Sequence, residues 1–167
     1  MEVQRLVRLI PVDEQILERL TAVATSDADA GEVTPPLTPD DSWTPRRVAW
    51  FKEYHRSRRA GLDGTAGEAT WAVLHDGDPI GAVRLQLTET EGELETGIWL
   101  ARTARGTGVA KVALHGVLDE ALLWGAHSVR ADILASNTAS QGLFRSAGFA
   151  LSDPATDSHV RAVLKIA

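Results

Sequence analysis

The chain has 167 residues, 44% of them hydrophobic, and no cysteine. That length fits one domain with a real core, while the missing thiols exclude disulfides, thiolate metal sites and a covalent acyl-cysteine intermediate. A formal net charge of −6 excludes the broad basic surface of general nucleic-acid binding, and the lack of any run near the about 20 apolar residues of a membrane span leads us to expect a soluble cytoplasmic protein.

Val3 to Ile10 alternates loosely between apolar and polar side chains, which predicts a strand ending at Pro11. Asp13 is placed to cap a helix in which Ile16, Leu17, Leu20, Val23 and Ala24 recur at helical spacing, fading near Ser26. Residues 27 to 42 carry Asp27, Asp29, Glu32, Asp40 and Asp41 with three prolines and no basic residue, the composition of an acidic loop. Thr44-Pro45 marks a second helix start, a capping hydroxyl followed by a residue that needs no N–H partner. That helix runs to about Arg59 with Val48, Phe51 and Tyr54 or His55 on one stripe, and Arg46, Arg47, Arg56, Arg58 and Arg59 make both its ends basic.

A glycine-rich loop spans Gly61 to Gly67. Trp71 to His75 and Ile80 to Leu87 then flank the turn Asp76-Gly77-Asp78-Pro79, predicting an antiparallel hairpin, and Glu91-Gly92 turns the chain into a third antiparallel strand, Leu94 to Leu100. In the helix that ends near Gly125, Val109, Val112, Ala113, Val117, Ala121 and Trp124 share one face, with Lys111, His115 and Asp119 on the other. Val129, Ala131 and Ile133 alternate as a strand, Asn137 to Ser146 reads as a short helix, and Val160 to Ile166 closes the chain as a strand. The order of elements is mixed α/β.

The most informative stretch is Arg105-Gly106-Thr107-Gly108-Val109-Ala110, which joins the third hairpin-region strand to the long helix. Glycines let backbone approach a ligand closely, and the first helical turn offers unpartnered N–H groups at the positive end of the helix dipole, so the segment is an anion site. The dinucleotide fingerprint fails because Lys111 stands where a third small residue is needed, and the Gly-Lys-Ser/Thr of a P-loop does not occur. The pattern Arg-x-x-Gly-x-Ala at Arg105, Gly108 and Ala110 resembles the acyl-CoA motif of the GNAT family of N-acetyltransferases. Asn137, Ser140, Phe144 and Gly148-Phe149 resemble the Asn-x-x-Ser…Gly-Phe signature of GNAT proteins of the RimJ/RimL type, which acetylate protein N-termini, and Glu95-Thr96-Gly97-Ile98-Trp99-Leu100 resembles the strand ahead of the cradle there.

This resemblance, covering roughly residues 70 to 150, implies a GNAT-type α/β fold: a mixed, mostly antiparallel twisted sheet with a splayed centre, flanked by helices on both faces. It implies one domain over residues 1–167, with an acceptor-side helical segment at 27–70 and an acyl-CoA-binding core at 93–150. The implied reaction moves an acetyl group directly from acetyl-CoA, in a ternary complex and without a metal, to a primary amine: a protein or peptide N-terminus, or a small amine such as an antibiotic.

Carried onto this chain, the cradle of Gly106, Thr107, Gly108, Val109 and Ala110 would hold the diphosphate, with Arg105 adding charge. Backbone groups of Ile98 and Leu100 would pair with pantetheine and polarise the thioester, and Asn137 would meet the pantetheine amides. Phe144 stands where many GNAT enzymes have a tyrosine that protonates the departing thiolate, so another residue or water must do so, and Ser140 is the candidate to protonate or position the sulfur. Glu95 is the candidate general base, on one strand face with Glu93, Gly97 and Trp99, where Gly97 leaves room for a substrate. Trp43, Trp50, Tyr54 and Trp99 are candidate acceptor contacts, Trp43, Trp50 and Tyr54 lying with Phe51 near Asp40 and Asp41. The five histidines lack metal-ligand spacing and read as surface or supporting residues. A homodimer is left open, since no apolar seam marks one. Phe144 also keeps a second reading open, a non-catalytic acyl-CoA-binding GNAT-fold sensor or interaction module.

Overall fold

Seven strands hydrogen-bond into one sheet in the order β1-β2-β3-β4-β5-β7-β6 in the computed structural model, which describes residues 6–152 and 158–167. They are β1 (Val7–Pro11), β2 (Glu68–His75), β3 (Asp78–Leu87), β4 (Glu93–Leu100), β5 (Ser128–Leu134), β6 (Ala150–Leu151) and β7 (His159–Lys165). Every neighbouring pair is antiparallel except β4 and β5. The helices are α1 (Glu14–Asp27), α2 (Ala30–Val33), α3 (Pro45–Ser57), α4 (Val109–Trp124) and α5 (Thr138–Ser146). This is the mostly antiparallel, helix-flanked α/β sheet that the sequence predicts.

Strand alternation divides the interior into two cores. On one face Leu17, Leu20 and Ala24 of α1 and Phe51 of α3 pack with Ala72, Leu74 and Ala82. On the other, Val109, Ala113, Leu114, Val117, Leu118 and Ala121 of α4 pack with Val73, Val83, Leu85, Leu94 and Val129. Both predicted caps form: the Ile16 N–H donates to Asp13 Oδ1 at 2.8 Å and the Arg47 N–H to Thr44 Oγ1 at 3.2 Å.

The central parallel ladder is short. β4 and β5 pair only as Glu93–Ser128, Leu94–Val129 and Glu95–Arg130, whereas β3 follows β4 to Leu100 and β7 follows β5 to Leu134. The two middle strands therefore splay beyond Glu95 and Arg130, the forked centre implied by the GNAT resemblance.

Several expectations are corrected. Among the described residues the first strand runs Val7–Pro11; its expected start at Val3 lies outside them. The acidic stretch 27–42 is interrupted by the single turn α2. The hairpin turn is only Asp76-Gly77, whose φ values of 54° and 85° match the twist of the flanking strands, so Asp78 and Pro79 belong to β3. Trp124, expected on the core face of α4, is 42% exposed. The helix stops there because Gly125 takes φ 99°, and Ala126, whose N–H donates to the Ala121 carbonyl at 3.0 Å, is buried next after Ala121. Leu114 and Leu118 complete the stripe instead. The short β6 was not foreseen. No helix among the described residues is long and apolar enough to cross a membrane.

The buried stripe of α3 is Arg47, Phe51 and His55, one turn apart; Phe51 and His55 stand as expected, and Arg47 takes the place expected for Val48. Among the described residues Arg47 forms no ion pair; it donates from Nε to Thr38 Oγ1 at 2.9 Å and from Nη2 to the Thr38 and Asp40 carbonyls at 3.2 and 2.5 Å. A further bond from Nη1 reaches Thr34 Oγ1 at 3.3 Å. The guanidinium thus acts as a staple for the segment leading into α3. Arg47→Met should lower stability by about 3 kcal/mol, because the carbonyls lose donors they cannot replace, and limited proteolysis should then cut near residues 34–42. Equal urea midpoints and digestion patterns for both proteins would show that the staple is dispensable.

Candidate active site

On the α1 and α3 face, a cavity of about 360 Å³ opens above the middle of the sheet. Its floor is set by cross-strand register: Thr70 lies opposite Arg84, which lies opposite Gly97, and the adjoining row is Ala72, Ala82 and Trp99. Its walls are Trp50, Phe51, Tyr54 and His55 of α3, with Glu32 and Val33 of α2. Trp50 and Tyr54 stack at 5.0 Å with rings 15° apart, as residues four apart on a helix can, and Arg58 lies 4.4 Å from the Tyr54 ring centre. The cavity therefore gathers three of the four predicted acceptor contacts, Trp50, Tyr54 and Trp99. Trp43 stands outside it, edge-on to Phe51 and donating its indole N–H to the Ala28 carbonyl at 2.9 Å.

One side of the cavity is a buried ionic network that motif matching missed. Glu68, with a side chain only 5% exposed, accepts from Tyr54 Oη at 2.8 Å, Arg58 Nε at 2.9 Å and Arg84 Nη1 at 3.4 Å. Arg84 also donates to Glu95 Oε1 at 2.8 Å, and Arg130 approaches Glu95 Oε2 at 3.6 Å. Glu95, the predicted base, thus sits at the last rung before the fork with both oxygens facing guanidinium groups. The room expected above Gly97 is taken in part by Arg84, whose Nε lies 2.9 Å from where a Cβ would stand. Gly97 is needed so that this arginine can lie across the strand. An arginine between Val83 and Leu85 on a central strand, opposite a glycine, is the sequence signal that marks this network.

Two groups in the cavity are held in one protonation state. Burial and the Glu68 charge push the Tyr54 phenol above its ordinary range. Burial, with lesser contributions from Arg58 and Arg59, pushes His55 down to about 4, so its ring is neutral, with Nδ1 3.0 Å from Thr70 Oγ1. The sequence reading placed His55 at the surface or behind the site; it is buried and lines the cavity.

The glycine cradle lies where β4 leads into α4. Gly106 and Gly108 adopt φ 76° and 85°, which L side chains rarely adopt, and nothing lies within 4 Å of where their Cβ atoms would be. The mouth of α4 is thus open, and its first turn carries no side-chain cap. Thr107 is tied back, its hydroxyl donating to the Ala104 carbonyl at 2.6 Å. Arg105 bends away from the mouth, donating from Nη2 to Glu32 at 2.5 Å and from Nε and Nη2 to the Leu100 carbonyl at 3.3 and 3.2 Å.

Across the fork, β5 runs on to α5. Asn137 caps α5 by accepting the Ser140 N–H at 3.0 Å, which leaves its amide NH2 and the Ser140 hydroxyl outside that bond. Phe144 is buried one turn on, edge-to-face with Phe149 at 4.9 Å. Ile98 borders the cavity from the splayed part of β4, and Leu100 is buried beside it. Among the described residues, no group of three or more histidine, aspartate or glutamate side chains is placed to hold a metal ion.

Residues 6–150 match the family described as the acetyltransferase (GNAT) domain. The chain belongs to that family. This GNAT domain is accordingly an acyltransferase. Among solved structures it is similar to Mycobacterium smegmatis RimJ in complex with CoA-disulfide, at 22% identity and TM-score 0.78 over 95% of this chain and 81% of that one. It is also similar to RimL, a ribosomal L7/L12 alpha-N-protein acetyltransferase in complex with coenzyme A, at 13% identity and TM-score 0.75 over 98% and 96% of the two chains. A third is the spermidine N-acetyltransferase from Vibrio cholerae, at 16% identity and TM-score 0.68 over 96% and 94%. Among curated proteins no sequence matches. At these identities the structures establish the fold and leave the acceptor open.

The neutral His55 gives this GNAT domain a pH signature. An unfolded imidazole takes a proton near pH 6.5, the folded one only near 4, so the unfolded state binds more protons between those values. Stability therefore falls as pH drops through that window, by about 3 kcal/mol from this group. His55→Gln should flatten the dependence. Chemical denaturation at pH 6.5 and 4.5 checks it, and parallel losses in both proteins would acquit His55.

Proposed function

We propose that this GNAT domain transfers an acetyl group from acetyl-CoA directly to a primary amine held in the cavity above Gly97. The observation that carries this reading is the fork: the stretch of β4 left without a partner on its β5 side contributes Ile98 and Trp99 to the cavity and leads through Ala101 into the open glycine cradle. The absence of cysteine supports direct transfer within a ternary complex.

When bound, acetyl-CoA supplies the acyl group as an activated thioester. The backbone N–H groups of Gly106, Gly108, Val109 and Ala110 hold the diphosphate at the positive end of α4. The free edge of β4 at Ile98 and Leu100 aligns the pantetheine and donates an N–H toward charge developing on the thioester oxygen. Asn137 turns its free amide NH2 to the pantetheine amides, and Phe144 backs the thiol from the core. Glu95 accepts the ammonium proton, exchanging for it the hydrogen bond that its Oε1 takes from Arg84. As the amine nitrogen bonds to the acyl carbon and the C–S bond breaks, Ser140 relays to the departing thiolate the second proton that the nitrogen loses, so its hydroxyl is restored. Tyr54, the chain's one tyrosine, is a poorer donor because its hydroxyl is committed to Glu68 and its phenol is pushed up. Trp50, Tyr54 and Trp99 hold the apolar part of the acceptor, with Trp43 supporting them through Phe51. The strand and helix blocks of the RimJ/RimL type point to a protein or peptide N-terminus, with a small amine as the competing acceptor, but those blocks meet CoA, and the choice between the two lies with the cavity.

Release of free thiol from acetyl-CoA with a panel of amines and peptides tests the activity, since every thiol detected belongs to CoA. Binding without release would favour the sensor reading that the missing hydroxyl of Phe144 keeps alive. Gly108→Trp should abolish acetyl-CoA binding in calorimetry, because the indole fills the space in front of the cradle; unchanged affinity would mean the cradle is misidentified. Glu95→Gln should lower turnover more at low pH, where amines stay protonated, than at high pH. Superimposable pH–rate profiles for mutant and parent would remove Glu95 from the mechanism.

A further inference from the structure

Three contacts fasten the acidic segment after α1 to the stretch just ahead of the cradle. Asp27 accepts from the backbone N–H and hydroxyl of Thr103 at 3.2 and 2.5 Å, Asp29 pairs with Arg102, and Glu32 pairs with Arg105. Of these three acids only Glu32 lines the acceptor cavity. One ion pair therefore spans the two halves of the site, with the carboxylate on the acceptor side and the guanidinium on the donor side.

The charges in the cavity differ in how firmly they are held. Glu68 and Arg84 are largely buried and satisfy each other together with Arg58, Tyr54 and Glu95, so neither is free to meet a new ion. Glu32 and Arg105 are 43% and 45% exposed, and a pair so exposed is weak and easily exchanged. A diphosphate offers a guanidinium more negative charge than one carboxylate, with the same bidentate fit.

We propose that Glu32 is the carboxylate that recognises the acceptor's ammonium group, and that Arg105 keeps it neutralised until a diphosphate in the cradle draws the guanidinium away. Filling the cradle then leaves one unmatched negative charge at the rim of an aromatic cavity. Binding is consequently ordered, with the donor first. The acceptor class follows from the same inventory: Trp50, Tyr54 and Trp99 supply flat apolar surface and a single carboxylate is released, which suits one ammonium group on a planar apolar body. A polyamine finds no second free acid among the lining residues.

This inference rests on the acetyltransferase reading above, and the test separates the two. CoA serves as a dead-end donor, and 2-phenylethylamine is titrated calorimetrically into the protein with and without it. In the parent protein the amine should bind about tenfold or more tighter when CoA is present. Arg105→Gln should let the amine bind without CoA about as well as the parent does with it, an effect that loss of a merely structural contact would not produce. Glu32→Gln should weaken amine binding to the CoA complex about tenfold while CoA itself binds about threefold tighter, since Arg105 is released. Equal amine affinity with and without CoA in the parent, no amine binding to the CoA complex, or both variants within twofold of the parent overturns the Glu32 assignment. Preferential turnover of spermidine over 2-phenylethylamine overturns the monoamine class. If CoA and acetyl-CoA fail to bind at all, the transferase reading falls as well; if thiol is released yet Glu32→Gln changes nothing, that reading stands and only this inference is lost.

Discussion

A parallel ladder that lapses after Glu95 and Arg130 sets the terms for the rest of this molecule. Strand backbone carries a donor and an acceptor on every residue, and unmet pairing at the centre of a sheet is costly unless water or a ligand supplies partners. Here the outer neighbours hold the two strands apart: β3 stays registered with β4 to its end, and β7 with β5 to its end. The gap is thus built into the architecture, and β4 reaches the glycine cradle with one edge still able to pair with an extended ligand.

Side-chain chemistry follows the same division. The face under α4 is apolar but for Thr96, whose hydroxyl is satisfied by the Arg84 carbonyl, giving the long helix and its open N-terminus a packed seat. The face under α1 and α3 is apolar toward one end and ionic toward the other, where Glu68, Arg84 and Glu95 form a chain across β2, β3 and β4. Buried ion pairs add little net stability compared with apolar packing, yet removing one partner strands the other. Such a network holds geometry, and here it fixes Tyr54 and Arg84 around the cavity while Arg47 staples the segment that leads into α3.

The acidic segment between α1 and α3 is where the rim of the cavity meets the approach to the glycine cradle. It folds back onto residues 102–105 through Asp27, Asp29 and Glu32, so the loop just ahead of the cradle and the rim of the cavity share their contacts. Exposed pairs of this kind exchange readily, and two sites joined by one labile pair are coupled by whatever affinity each ligand has for its half of it.

Local signals in the sequence were enough for the elements and the cradle. Period-two and period-3.6 patterns located the main strands and four of the helices, Asp13 and Thr44 located two caps, and the spacing of Gly106 and Gly108 located the left-handed turn into α4, because each depends on residues within a turn of one another. The sequence also carried the family through Arg105, Gly108, Asn137 and Gly148-Phe149. Only the tertiary structure could bring Glu68, Arg84 and Glu95 into one network, bury Arg47 and His55, exclude Trp43 from the cavity, and turn Arg105 from the cradle toward Glu32. Those outcomes depend on cross-strand register and on how α2 and α3 dock over the sheet, contacts between residues far apart in the chain that no local periodicity encodes.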